Sequence, residues 1–297
     1  MQQQEETKMT PSLLAQKVKT LFTLPDVALR INEVLAEENS SISDLEEIVL
    51  HDPALSAKLL KIVNSAYYGF PRKIDTISRA ISLIGREELR NLVIATTVAD
   101  SFSGIPEDLI DMNTFWYHSV TSAILARLLA KQRNHLDHER FFIAGLLHSV
   151  GKLVFFIEYP QESASILSLK EQGADEMTIK EKETFGFTHA ELGAELLQQW
   201  KLPETIWRII ENHLEPFRAS EAMEDACILH LAASIADRIE PCAKQDIDFQ
   251  DPDLDYDSPV FKYLQLQEQD ILPLIQDAVF QAFDILSYIR PEASVIF

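Results

Sequence analysis

Apolar positions in this chain recur with a helical period almost throughout, and no run alternates convincingly with period 2. Asp52-Pro53 reads as an N-cap followed by proline at the first helical position. After it Leu55, Leu59, Ile62, Val63, Ala66 and Tyr67 share one face. Ile74 to Ile84 repeats at the same spacing and stops at Gly85, a residue suited to leaving a helix. Leu89, Leu92, Val93 and Thr96 mark the next helix. Phe115 to Ala130 and Phe141 to Ile157 read as two more, separated by the polar stretch Lys131 to Glu139. Ser43 with Glu46, Thr178 with Glu181 and Thr188 with Glu191 have capping-box spacing. The last of these opens a helix with Gly193, Leu196, Leu197 and Trp200 on its core face, and Leu202-Pro203 ends it and begins another. Cys227 to Ile239 and Ile271 to Ile289 are helical by the same period. The fold expected is all-α, more than half helix, with no internal repeat.

Composition narrows the chemistry more than the fold. The chain has 297 residues and only 8 glycines. No G-x-G pair, P-loop, G-x-S-x-G or H-E-x-x-H motif occurs, which excludes the commonest dinucleotide, nucleotide, serine-hydrolase and zinc-protease signatures. The net charge of −21 is unevenly spread, with −4 on residues 1–150 and −17 on residues 151–297. Such a surface repels phosphate backbones and anionic lipid, so neither nucleic acid nor membrane is an expected partner. Met1 to Thr10 is too polar for a signal peptide. The most apolar stretch, Phe141 to Ile157, contains His148 and Lys152 and is short for a bilayer span. Cys227 and Cys242 fit neither C-x-x-C nor a zinc spacing and read as reduced thiols, so a cytoplasmic protein is expected.

Asp246 to Pro259 is the best linker candidate, with six aspartates and no basic residue. Its D-x-D-x-D spacing invites a calcium reading, but from Asp253 the sixth position is Ser258 and the twelfth is Leu264, where an EF-hand needs Gly and Glu. A solvated acidic loop is the better reading. His135 and His138 read as loop residues beside Asp137, which is placed to cap the next helix.

Five residues carry the functional argument through their surroundings. His148-Ser149-Val150-Gly151-Lys152 resembles the H-D-x-G-K signature of HD-superfamily metal phosphohydrolases, with Ser149 in place of the aspartate. His118 in F-W-Y-H-S, His189 in F-T-H-A-E-L-G-A, His213 in I-E-N-H-L-E-P and Asp237 in A-A-S-I-A-D-R match the rest of that pattern in order. Three further blocks narrow the resemblance: L-P-D-V at 24–27, D-P-A-L-S-A-K-L-L-K-I-V-N-S-A-Y-Y-G at 52–69 and I-S-R-A-I-S-L-I-G at 77–85. These resemble the HDOD family, HD-related output domains of bacterial signalling. The resemblance covers residues 17–215 well and extends weakly to about 240, leaving 241–297 as an acidic loop and C-terminal helical extension.

The resemblance implies an HD-type helical bundle with an additional N-terminal helical subdomain, no established enzymatic activity, and action through protein contacts. No receiver, cyclase or other output segment is visible, so signalling partners are expected in trans. The residue chemistry points the same way. An HD site works because adjacent His and Asp anchor a divalent metal that generates hydroxide. Ser149 offers only a neutral hydroxyl, and Asn212 stands before His213 where HD-GYP phosphodiesterases place a second histidine; their G-Y-P segment is missing too. No cofactor is therefore expected. His118, His148, His189, His213 and Asp237 remain candidate ligands for a residual divalent metal, zinc or iron. The alternative to that metal site is a polar network of hydrogen-bonded histidines buried between helices. Lys152 is a candidate contact for a small phosphorylated ligand, though a helical lysine is also explained by solvation and the helix dipole. The rival function is a metal-dependent phosphohydrolase acting on a nucleotide or cyclic dinucleotide. Around Asn64 to Gly69 the bland reading is a helix end whose Tyr67, Tyr68 and Phe70 pack the turn onto the bundle, and the functional one is a partner-binding surface.

Overall fold

The computed structural model describes residues 9–18, 26–37, 40–65, 67–101, 105–106, 108–239 and 252–289. Among them there is no strand, and α-helix accounts for more than half of the chain. Six helices come first: α1 (Pro11–Val18), α2 (Asp26–Ala36), α3 (Ile42–Leu50), α4 (Pro53–Val63), α5 (Ile77–Ile84) and α6 (Arg86–Ser101). The bundle that follows contains α7 (Met112–Gln132), α8 (Glu139–Leu147), α9 (Val150–Glu158), α10 (Pro160–Leu167), α11 (Ala174–Phe185), α12 (His189–Gln199), α13 (Glu204–Asn212) and α14 (Met223–Ala236). Two more, α15 (Pro259–Leu264) and α16 (Glu268–Ile289), close the described chain.

The longest helices define the architecture. On α7 every side chain from Phe115 to Ala126 is buried except His118, so this helix has no solvent face and forms the axis of the bundle. It packs on α8, α14 and α16, while α12 bridges α9 and α13. Gly145 makes the close approach of α8 to α7 possible, since a Cβ there would collide with the backbone of Ala123 on α7. Gly151 does the same for α9, where a Cβ would strike the carbonyl of His189 at the start of α12. Helices α2 to α6 pack mainly among themselves and reach the bundle through α6 on α8 and α4 on α16. The apolar contacts form one contiguous core from Leu14 to Leu286.

Several local expectations hold. Asp52 caps α4 by accepting from the backbone N–H of Ala54 and Leu55, and Thr188 and Glu191 form a full capping box on α12. Gly85 ends α5 at φ 92°. Others need correction. The box on α3 is Ser41 with Asp44, two residues earlier than Ser43 with Glu46. Thr178 lies inside α11, donating to the carbonyl of Ala174, and Glu181 turns inward toward His189 instead of capping. Asp137 does not cap α8, whose preceding residue, His138, makes no side-chain cap bond. The apolar stretch 141–157 is broken at His148 and Ser149, between α8 and α9. Residues 139–158, the one stretch among the described residues long and apolar enough to cross a membrane, are mostly buried within the bundle. Cys242 and the first half of the acidic stretch, 246–251, lie outside the described residues. Cys227 is buried on α14, and burial pushes its thiol up to about 11, which leaves it protonated and unreactive.

The turn after α4 serves packing. Asn64 holds it closed through two hydrogen bonds with the backbone of Ile74, each 2.7 Å. The ring of Tyr67 is buried 4.8 Å from that of Phe142 on α8, and Tyr68 stacks on Phe70.

Candidate functional site: a buried imidazole cluster

The break between α8 and α9 decides where the site forms. Residue 148 closes one helix and residue 149 precedes the next, so His148 projects from the corner at which α7, α12, α13 and α14 converge. His118 comes from the middle of α7, His189 from the first position of α12, His213 from the end of α13 and Asp237 from the end of α14. The fold brings all five together in one chain of contacts. The Nε2 atoms of His118 and His148 lie 3.2 Å apart, and the His148 and His213 ring centroids lie 5.4 Å apart. The rings of His213 and His189 are 5.8 Å apart, and Asp237 Oδ1 lies 3.4 Å from His118 Nδ1.

Hydrogen bonds fix the tautomers. His148 Nδ1 donates to the carbonyl of Gly145 at 2.6 Å, and His213 Nδ1 donates to that of Ile210 at 2.7 Å. A carbonyl only accepts, so both rings carry their proton on Nδ1 and turn a bare Nε2 into the cluster when neutral. His118 meets acceptors on both sides, His148 Nε2 at 3.2 Å and the Asp237 carboxylate at 3.4 Å, and when neutral it can donate to only one of them.

Two members escaped the sequence reading. Glu181 on α11 accepts from His189 Nδ1 at 2.8 Å and from the His189 backbone N–H at 2.9 Å. His230 on α14 donates from Nδ1 to the carbonyl of His213 at 2.8 Å. Neither carries a local signal. Glu181 sits in a charged helix whose pattern reads as solvent-facing, and His230 lies in an ordinary apolar run.

Burial sets the charge state. Desolvation pulls the pKa of His148 and His213 well below the usual imidazole value, and neighbouring imidazoles add to the effect. His118 and His189 are also lowered by burial, against the opposing pull of Asp237 and Glu181 respectively. The positive charge of Lys152 on α9 lowers all four. Burial raises Glu181, but the His189 contacts overcome it and leave the carboxyl below its ordinary range. This pair is therefore a neutral imidazole donating to a carboxylate.

The donor set is poor in the anionic oxygens that a hard divalent cation prefers. Ser149 is buried and its hydroxyl has no hydrogen-bond partner among the described residues. Asn212 turns its amide back to the carbonyl of Arg208 on its own helix. Asp237 is half-exposed and faces His118 Nδ1. Hard cations need several anionic oxygens, and Asp237 is the one carboxylate among the five positions. The site candidates thus converge on one cluster of four imidazoles with a single carboxylate at its edge.

The comparisons with known proteins follow this geometry. The family model described as HDOD domain matches residues 21–216. An uncharacterized protein of Treponema pallidum (strain Nichols) is 27% identical over 212 residues, 71% of this chain and 40% of the relative, so the chain spans less than half the length of that relative. A Shewanella amazonensis SB2B structure named "Putative phosphohydrolase" superposes with TM-score 0.64 at 27% identity, covering 94% of this chain and 92% of the other. An HDOD domain protein with unknown function from Geobacter sulfurreducens superposes with TM-score 0.67 at 22% identity, over 94% and 97% of the two chains. A "Putative signal transduction protein" from Marinobacter aquaeolei VT8 gives 0.65 at 21%, over 92% and 60%. The last two speak to the fold alone.

Proposed function

This chain belongs to the HDOD domain family, and from that premise we propose that it is a non-catalytic signal-transduction module of the cytoplasm, acting on signalling proteins in trans through protein contacts. The observation that carries the reading is Ser149. It occupies the place next to His148 where a metal-anchoring carboxylate would stand, yet its hydroxyl is buried, neutral and without a hydrogen-bond partner among the described residues. A metal-bound hydroxide needs anionic ligands to keep the ion against water. Asp237, half-exposed and turned to His118, is a poor substitute.

The rival reading is a metal-dependent phosphohydrolase acting on a nucleotide or cyclic dinucleotide. The Shewanella neighbour's name and the four surviving imidazoles favour it. A small phosphorylated ligand bound without turnover is an intermediate case, with Lys152 as its anion contact. One experiment separates the readings. The purified protein is assayed for metal content and for hydrolysis of nucleotide monoesters and diesters with Mg²⁺, Mn²⁺ or Fe²⁺. The expected result is no bound metal and negligible turnover, with Ser149→Asp raising metal occupancy. Metal-dependent turnover by the unmodified protein, abolished in His148→Ala, overturns the proposal.

A further inference from the structure

A second buried polar cluster lies where the N-terminal helices meet the bundle, away from the imidazoles. It joins the turn after α4 (Tyr67, Tyr68), helix α6 (Glu88, Asn91), helix α7 (Arg127) and the start of α8 (Glu139). Tyr67 donates to Glu139 Oε2 at 2.7 Å, and Arg127 Nε donates to Glu139 Oε1 at 2.8 Å. The Arg127 guanidinium also lies over the Tyr67 ring, 4.0 Å from its centroid, and His138 Nδ1 stands 3.1 Å from Glu139 Oε1. Tyr68 donates to Glu88 Oε1 at 2.6 Å.

The charges in this pocket do not balance. Arg127 is committed to Glu139. Of the two arginines on α6, Arg90 turns to the exposed Glu87 at 2.7 Å and Arg86 to Ser40. Glu88 is 5% exposed, has no basic partner among the described residues, and its Oε2 is buried without a hydrogen-bond partner. An ionised carboxylate with a bare, buried oxygen is among the most costly arrangements in a protein interior, and such a group takes up a proton instead. We propose that Glu88 is a neutral, proton-bearing carboxylic acid that clasps the N-terminal helices to the bundle, and that loss of its proton loosens the turn at Tyr67–Gly69.

Electrostatics agree with the geometry. Burial, and after it the charge of Glu139, push the Glu88 carboxyl well above the usual range, against the weaker pull of Tyr68, Arg127 and Asn91. Tyr67 and Tyr68 are raised well above the usual phenol value, chiefly by burial, so both remain hydroxyl donors. The sign of the linkage is set by a native value above the unfolded one. The stabilisation is fully present below the ordinary glutamate value of about 4.3 and is lost as pH rises through the native value.

The test uses the full chain with ¹³C-labelled glutamate. The Glu88 carboxyl signal, assigned by its loss in Glu88→Gln, is expected to report a protonated acid at neutral pH and to titrate well above the usual carboxylate range. Amide exchange in the turn, corrected for its intrinsic pH dependence, should lose protection as pH rises from the ordinary glutamate value and level off above the native one. The loss should be about tenfold for each pH unit separating the native from the ordinary value. Glu88→Gln, which mimics the protonated form, should keep its protection throughout. Should Glu88→Gln fail to fold, Tyr68→Phe gives the assignment, because removing a bond that favours the ionised form must move the Glu88 titration further upward. An ionised Glu88 at neutral pH, or the same loss of protection with rising pH in Glu88→Gln, overturns the proposal.

Discussion

Two buried polar clusters share helices α7 and α8, and they are built from opposite chemistry. The imidazole cluster joins α7 to α12, α13 and α14 through bases whose burial strips protons. The carboxyl cluster joins α7 and α8 to the N-terminal helices through acids, one of which burial loads with a proton. Desolvation acts identically in both, disfavouring whichever form is charged. The difference lies in compensation. Each of three rings, His148, His189 and His213, has a fixed acceptor for Nδ1, whereas Glu88 has only the Tyr68 hydroxyl and a nearby amide. A neutral imidazole is at ease in such a place, and an ionised carboxylate is not. The first cluster is thus ordered by geometry and the second by a proton.

The sharpest way to break the comparison is to disturb one cluster alone, and Gly151→Ala does this with the largest effect. A methyl at 151 meets the backbone carbonyl of His189, which cannot rotate away, so α9 must move off α12. Overpacking of this kind costs about 3 kcal/mol. Because the strain falls between His148 and His189, the imidazole cluster should lose order while the Tyr67 and Tyr68 turn keeps its amide protection. Urea unfolding together with site-resolved hydrogen exchange measures both. Equal loss of protection in the two clusters would mean that they are not separable units.

An acid titration sharpens the same contrast. For a buried imidazole the native pKa lies below the unfolded value, so the unfolded state binds more protons as the medium acidifies. Stability is fully present above about pH 6.5 and falls below it by about 1.4 kcal/mol per unit for each titrating ring, until the native values are reached. His148 and His213 should carry most of the fall, since no carboxylate opposes burial there. Urea midpoints between pH 7 and 5 measure it, and His213→Gln should flatten the curve. Within that range Glu88 tilts the other way, because its proton is retained in the native state. The observed slope is therefore the imidazole loss less a carboxyl gain, and Glu88→Gln should steepen it.

Legibility in the sequence followed the range of each interaction. Asp52 before Pro53, Thr188 before Glu191 and Gly85 after Ile84 could be read because their partners lie within three or four residues. The same rule failed at Thr178 and Glu181, where the spacing was right but a tertiary partner, His189, claimed the carboxylate. The break at His148 and Ser149 could not be read from periodicity, because α8 and α9 are apolar on nearly every face and show no amphipathic phase to shift. The five site positions were found through motif resemblance, and the structure gathers them. Their hydrogen-bond supports, Glu181 and the carbonyls of Gly145 and Ile210, come from the folded backbone and leave no mark in a single sequence. Glu88 is the strongest case: in E-E-L-R-N it reads as an exposed helical charge, and only packing of α6 on α8 makes it a buried acid.

The smallest expected effect compares two helix caps of the same design in the two halves of the molecule. Ser41 on α3 and Thr188 on α12 each form a capping box, with Asp44 and Glu191 at the third helical position. Replacing either hydroxyl residue by alanine removes the acceptor for one backbone N–H, that of Asp44 or Glu191. The reciprocal bond survives, because the carboxylate still accepts from the backbone N–H of residue 41 or 188, at 2.7 Å in both cases. Such a loss typically costs about 1 kcal/mol. The caps differ in solvent access: Ser41 is exposed, so water can take over the orphaned N–H, while Thr188 is buried at 3% exposure and water cannot. Thr188→Ala should therefore cost more than Ser41→Ala in urea unfolding, by about 0.5–1 kcal/mol. It should leave the acid slope unchanged, because Glu181 still holds both the ring and the backbone N–H of His189. A changed slope would mean that the Thr188 cap, and not Glu181, sets the position of the ring.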